Sequence, residues 1–201
     1  FDSTFNCIHY LYKIDKNKNI RLKEKKDIID KNMIPLYDSL NKIYRNKKFS
    51  VLIEEPLSII SLYFVNLFKF NIFLIQSFYD KDLMTTILNN IQRKFNHTHG
   101  KNIFDYLKNG EKKFHLIIIE NNTFPDDKNA FIPNQEYLKP ENMNLFKNRL
   151  EDEGRIYFHV LLRNKYLFDS VKKKYEEYFV IKEIIQLFPL EFFFVCMKKS
   201  N

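Results

Sequence analysis

Residues 179–199 read FVIKEIIQLFPLEFFFVCMKK. Two runs of β-branched and aromatic side chains, FVIKEIIQLF and LEFFFVCMKK, stand on either side of Pro189 with almost nothing between them. Such runs favour strands. A connection this short allows only antiparallel pairing, because a parallel pair needs a crossover of roughly a dozen residues or more. Upstream, FHLIIIE (Phe114 to Glu120) is an unbroken apolar run ending in an acid. That is the pattern of a central parallel strand buried on both faces. RIYFHVLL (Arg155 to Leu162) supplies another strand between the two. The chain is therefore expected to end a parallel sheet with a reversed strand.

Further upstream the periodicity alternates. FSVLI (Phe49 to Ile53) precedes a helix opened by Pro56 and running to about Phe68, where the fixed φ of proline suits a first turn. NIFLIQ (Asn71 to Gln76) precedes a helix to about Phe95, with Asp80 or Asp82 as its cap. NHTHGK is poor strand material, and NIFDYLKNG reads as a short helix stopped by Gly110. After a loop holding Pro125 and Pro133, a helix is expected from about Gln135 to Asp152, ended by Gly154. In RNKYLFDSVKKKYEEY the expected helix places Tyr166, Leu167, Ser170, Val171 and Tyr175 on one face. The order βαβαβαβαβα plus a terminal hairpin predicts an α/β doubly wound, mostly parallel sheet. Residues 1–48 read as an N-terminal hairpin or arm and a helix over Asp27 to Arg45 weakened by Pro35, and residues 49–201 as one compact α/β unit.

Composition fits this picture. The 201 residues suit one domain, and 45% apolar content with 21 Phe, 12 Tyr and no Trp implies a core of Ile, Leu and Phe. Cys7 and Cys196 lie near opposite ends without CxxC or Cys/His spacing, which argues against a disulfide framework or structural zinc and for an intracellular, cytoplasmic setting. The formal charge of +8 permits weak attraction to nucleic acid, but the lysines are scattered through every loop and read as a solvated surface. The longest apolar stretch, Leu57 to Phe68, carries Ser58, Ser61 and Asn66 and is too short for a membrane span of about 20 residues. With Phe rather than Met at position 1, an excised domain or processed product is expected.

The chain from Phe114 to Lys198 resembles the spermidine-synthase-like class I methyltransferases, most of all the C-terminal domain of the enzymes that methylate elongation factor 1A. FHLIIIENN looks like that family's fourth strand with its terminal acid. FIPNQEYLKPENMNLFKNRLEDEGRIYFHVLLRN looks like its proline-containing loop, helix, glycine turn and fifth strand, and LFDSVKKKYEEYF like the next helix. KNMIPLYDSLNKI, FSVLI, NIFLIQ and NIFDYL agree more loosely with the first half. The resemblance implies the seven-stranded class I fold, in which the antiparallel last strand is inserted beside the sixth. It also implies S-adenosylmethionine as cofactor and frequent dimerisation.

The cofactor positions depart from that family. The turn after its first strand is glycine-rich, so that backbone amides reach the cofactor, whereas here it reads Ile53-Glu54-Glu55-Pro56-Leu57-Ser58. Glu54 and Glu55 would project into the space and Pro56 removes a donor. Gln76 stands where the family has an acid for the ribose hydroxyls, without the strength of a charge-assisted bond, and Asn102 where it has an acid for the adenine amine. Only Glu120, after the fourth strand, keeps a carboxylate at the crevice and is the candidate catalytic residue. These departures predict a pseudoenzyme: a degenerate methyltransferase-like domain with no cofactor, acting as a structural or protein-interaction module. The alternative is an active S-adenosylmethionine-dependent protein methyltransferase acting on lysine or an N-terminus.

Other groupings carry less chemistry. His97, His99 and His115 with Glu120 lack the spacing of a metal site. Ser58, Ser170 and Cys196 lack a flanking base. Arg163, Lys165, Lys172, Lys173 and Lys174 with Tyr166 and Tyr175 could contact the phosphates of a nucleic acid, but read first as one solvated helix face. Phe188, Phe192, Phe193 and Phe194 are expected to put one face in the core, and any uncovered face would mark a protein partner or a homodimer contact.

Overall fold

The computed structural model describes residues 12–14, 20–22, 49–54, 71–76, 96–99, 102–120 and 135–199. β1 (Tyr12–Ile14) and β2 (Ile20–Leu22) form a separate antiparallel pair. The main sheet contains β3 (Ser50–Glu54), β4 (Asn71–Gln76), β5 (Asn96–His99), β6 (Phe114–Ile119), β7 (Leu150–Leu161), β8 (Phe179–Phe188) and β9 (Glu191–Lys198). Among the described residues the helices are α1 (Ile103–Asn109), α2 (Pro140–Arg149) and α3 (Phe168–Tyr178). The helices expected over Asp27 to Arg45, after Pro56 and after Asp80 lie outside the described residues.

The seven strands run in the order β5-β4-β3-β6-β7-β9-β8. β3, β4, β5, β6 and β7 are mutually parallel, while β9 pairs antiparallel with both β7 and β8. The reversed last strand thus slots between β7 and β8, and its antiparallel pairing with β8 is what the short connection at Pro189 requires. β6 is buried throughout except at His115, which accounts for its unbroken apolar run.

One face of the sheet packs on the three helices. Ile103, Phe104 and Leu107 of α1, Met143 and Phe146 of α2, and Val171 and Tyr175 of α3 join Leu52, Ile117, Phe158 and Phe194 in one buried cluster. Aromatic rings bind it together, with Phe158 lying 5.8 Å from Phe146, 4.6 Å from Tyr175 and 5.8 Å from Phe179. The opposite face is covered too, since Val51, Ile53, Leu116, Ile118, Tyr157, Phe193 and Val195 are all buried.

Several sequence expectations need correction. NHTHGK contributes β5, which pairs in parallel with β4 from Phe73↔Asn96 to Gln76↔His99. An edge strand is held by its backbone ladder, so polar side chains do not forbid it. The helix expected to reach Asp152 ends at Arg149, and β7 begins at once with Leu150. The β6–β7 register then jumps from Phe114↔Leu150 to Leu116↔Arg155, so β7 advances five residues while β6 advances two. Gly154 closes that irregularity: a Cβ there would sit 2.9 Å from the Glu151 carbonyl oxygen and 3.0 Å from that of Phe114. Its role is close backbone approach, not helix termination.

Phe192, Phe193 and Phe194 are all buried, because β9 is an interior strand covered on both sides, so they offer no exposed partner face. The side chain of Phe188 lies outside the described residues. The helix-face expectation also breaks: Val171 and Tyr175 are buried, whereas Tyr166 and Ser170 are exposed. A 3-10 turn at Lys165–Leu167 precedes α3 and shifts the phase. Tyr175 therefore belongs to the core and not to a phosphate-contacting surface.

Candidate functional site

In a parallel sheet the ligand crevice lies beyond the carboxyl ends of the strands. Register fixes which residues meet there: Glu54 is paired with Ile75 on one side and Ile119 on the other, and Gln76 with His99. Asn102, Gln76, Glu54 and Glu120 therefore follow one another along a single edge, each on or just past a strand end. Glu55 and the side chain of Gln76 lie outside the described residues.

Glu54 ends β3 at 1% exposure, and Glu120 follows β6 at 0%. Burying a carboxylate is costly unless it is hydrogen-bonded. The Tyr137 hydroxyl meets that need by donating to Glu54 Oε1 in a short hydrogen bond. Tyr137 comes from the 3-10 turn Gln135–Leu138, 83 residues along the chain from Glu54. Its ring is held 4.9 Å from Phe104 and stacked at 14° on Phe146. Asn142 Nδ2 donates to the Glu136 carbonyl at 2.9 Å and pins the turn. The segment Gln135–Arg149, read as one helix, is thus a turn followed by α2, and the turn delivers the phenol. Tyr137 escaped the sequence reading because nothing in QEYLKP signals a partner so far away.

Asn102 is committed locally. Its Oδ1 accepts from the Phe104 amide at 2.8 Å and caps α1. His115 sits near the start of β6, where its Nδ1 lies 3.1 Å from Ser50 Oγ and its ring 4.6 Å from that of Phe49. Glu120 lies five positions further along, roughly 16 Å at strand rise. The histidine–glutamate grouping is therefore not brought together, and the described residues hold no group of three metal-ligating side chains.

A pair that the sequence reading did not single out stands near the same edge. His159 Nε2 lies 2.7 Å from Glu191 Oε1, the imidazole is stacked 4.9 Å from Phe193, and Nδ1 is buried without a hydrogen-bond partner. Because Phe158 is paired with Ile119, His159 is level with Glu120. A lone histidine within the apolar run IYFHVLL was the available signal. Of the nucleophile candidates, Ser170 Oγ donates to the Leu167 carbonyl, and Cys196 is fully buried, with burial, reinforced by Glu176, pushing its thiol up. Ser58 lies outside the described residues. No helix among the described residues is long and apolar enough to cross a membrane.

No family profile matches the sequence, and no curated protein matches it either. Solved structures do. Human methyltransferase-like protein 13, in complex with SAH, superposes with a TM-score of 0.67 at 16% identity, over 85% of this chain and 82% of that one. A methyltransferase from Pyrococcus furiosus gives 0.57 at 14% identity over 83% of each chain. The ribosomal protein L11 methylase of Lactobacillus delbrueckii subsp. bulgaricus gives 0.55 at 13%, over 86% and 81%. The chain has the class I methyltransferase fold. In the order of that sheet, Glu54 ends the first parallel strand and Glu120 follows the fourth, so both buried acids stand at carboxyl ends of its strands.

Proposed function

We propose that this is a methyltransferase-fold domain without a working cofactor site, serving as a structural or protein-interaction module. The observation that carries the reading is Glu54, buried at the end of the first sheet strand and bonded by Tyr137. Glu54 sets a full side chain where the resembling family has open glycine backbone for the methionine end of S-adenosylmethionine, and that side chain is held in place by Tyr137. Asn102, which matches the family's position for the adenine amine, is an amide rather than an acid and its oxygen already caps a helix. Glu120 then serves as a buried strand-end carboxylate rather than as a catalytic group.

The SAH-bound structural neighbour supports a second reading, an active S-adenosylmethionine-dependent protein methyltransferase in which Glu120 meets the substrate. Thermal unfolding separates the two. A ligand at 1,000 times its Kd stabilises by about 4 kcal/mol, and for a domain of this size that moves Tm by roughly 10 °C. Millimolar S-adenosylmethionine is expected to leave Tm unchanged. An upward shift of several degrees supports the active enzyme instead.

A further inference from the structure

The basic and aromatic residues of 163–175 do not act as one surface. In α3, Lys172 is paired with Glu176 at 2.9 Å and Tyr175 is in the core. The turn before it differs. Arg163, Asn164, Lys165 and Tyr166 are all exposed, and Tyr166 reaches 83%, the most exposed large apolar side chain among the described residues. The turn is nonetheless ordered from within. Asn164 Oδ1 accepts from the Tyr166 amide at 3.0 Å, and the Leu162 amide donates to the Leu190 carbonyl at 2.8 Å just before it. Lys165 Nζ lies 5.5 Å from the centre of the Tyr166 ring, so one side of the ring carries a cation and the other is open. The turn directly follows β7, at the crevice edge where β3 and β6 also end.

We propose that the turn at residues 163–166 binds single-stranded nucleic acid, with a base stacked on the open side of Tyr166 and flanking phosphates on Arg163 and Lys165. An aromatic ring beside cations offers the two contacts that sequence-independent single-strand binding uses, stacking and phosphate neutralisation. Tyrosine supplies the platform with only two side-chain torsions to fix, and the capped turn has already fixed the backbone. The net charge of +8 adds long-range attraction. This inference stands whether or not the cofactor site works, because none of its residues belongs to that site.

The test is fluorescence anisotropy of the full chain with a labelled oligouridylate of about 12 nucleotides, within the usual single-strand site sizes, across a salt series. Tyr166→Ala is expected to weaken binding about tenfold and Tyr166→Phe to retain it, because the contact is stacking. Arg163→Ala with Lys165→Ala should lower the slope of log affinity against log salt by about two. Lys108→Ala, an exposed lysine on α1, should leave the probe affinity unchanged. Absence of binding at low salt overturns the proposal. So does equal loss in the Lys108 variant, which would mean general charge attraction. Displacement of the probe by polyglutamate at equal charge, with Tyr166→Ala neutral, also overturns it and assigns the turn to an acidic protein.

Discussion

The two halves of the sheet are built to different rules. β7 and β9 have interiors filled by Ile, Phe, Tyr and Val and are stitched by aromatic contacts to α2 and α3. β3 and β6 are as well buried but each leads into a buried acid, Glu54 and Glu120, and Glu54 takes its hydrogen bond from a distant turn. The fold rests on strand interiors, so residues at the strand tips can change without undoing the sheet.

The largest effect is expected in the aromatic half. Phe194→Ala deletes a fully buried ring that contacts Tyr175 at 5.4 Å, and should lower unfolding free energy by about 3–5 kcal/mol in a denaturant titration. If the loss is under about 1 kcal/mol, that half is not where stability resides. Gly154→Ala comes next: the added carbon meets backbone atoms that cannot swing aside, and a loss of about 1–3 kcal/mol should appear in the same titration. At the acid-tipped strand, Tyr137→Phe keeps the ring packing and removes the hydroxyl donated to Glu54, costing about 1–3 kcal/mol. A neutral result would show that Glu54 does not depend on the phenol.

Acid–base behaviour sharpens the same contrast. Burial holds the Cys196 thiol far above its usual value, with Glu176 adding to the shift, and burial followed by Cys196 raises the Tyr175 phenol likewise. In the unfolded chain a thiol ionises near about pH 8.5. Below that value both states are protonated and the contribution to stability is full; above it the unfolded state binds fewer protons, so stability falls as pH rises. Cys196→Ala should make this alkaline decline shallower, as measured by denaturant midpoints between pH 7 and 10. The smallest effect belongs to the surface: Lys172→Ala removes a half-exposed pair four residues apart and should change stability by less than about 0.5 kcal/mol.

Legibility in the sequence follows the same division. The hairpin around Pro189 and the run FHLIIIE disclose strand direction and burial, because interior strands must be apolar and short connections must reverse. β5 was not legible, since an edge strand is held by backbone bonds that NHTH does not advertise. The site was half legible. The missing glycines, Gln76, Asn102 and Glu120 could be read against the resembling family, and their strand-end positions follow from the strand assignments. The Tyr137–Glu54 bond could not, because it joins residues 83 apart through a turn mistaken for helix. His159 and Glu191 escaped for the same reason: their pairing exists only once β9 has been inserted beside β7.

Isothermal titration of the folded domain with S-adenosylmethionine, and separately with S-adenosylhomocysteine, tests the loss of the cofactor site most directly. No saturable heat is expected with either compound, from a protein whose cooperative unfolding proves it intact. Saturable binding at micromolar Kd would contradict a closed cofactor end and make the domain an enzyme whose strand-one turn works without glycine.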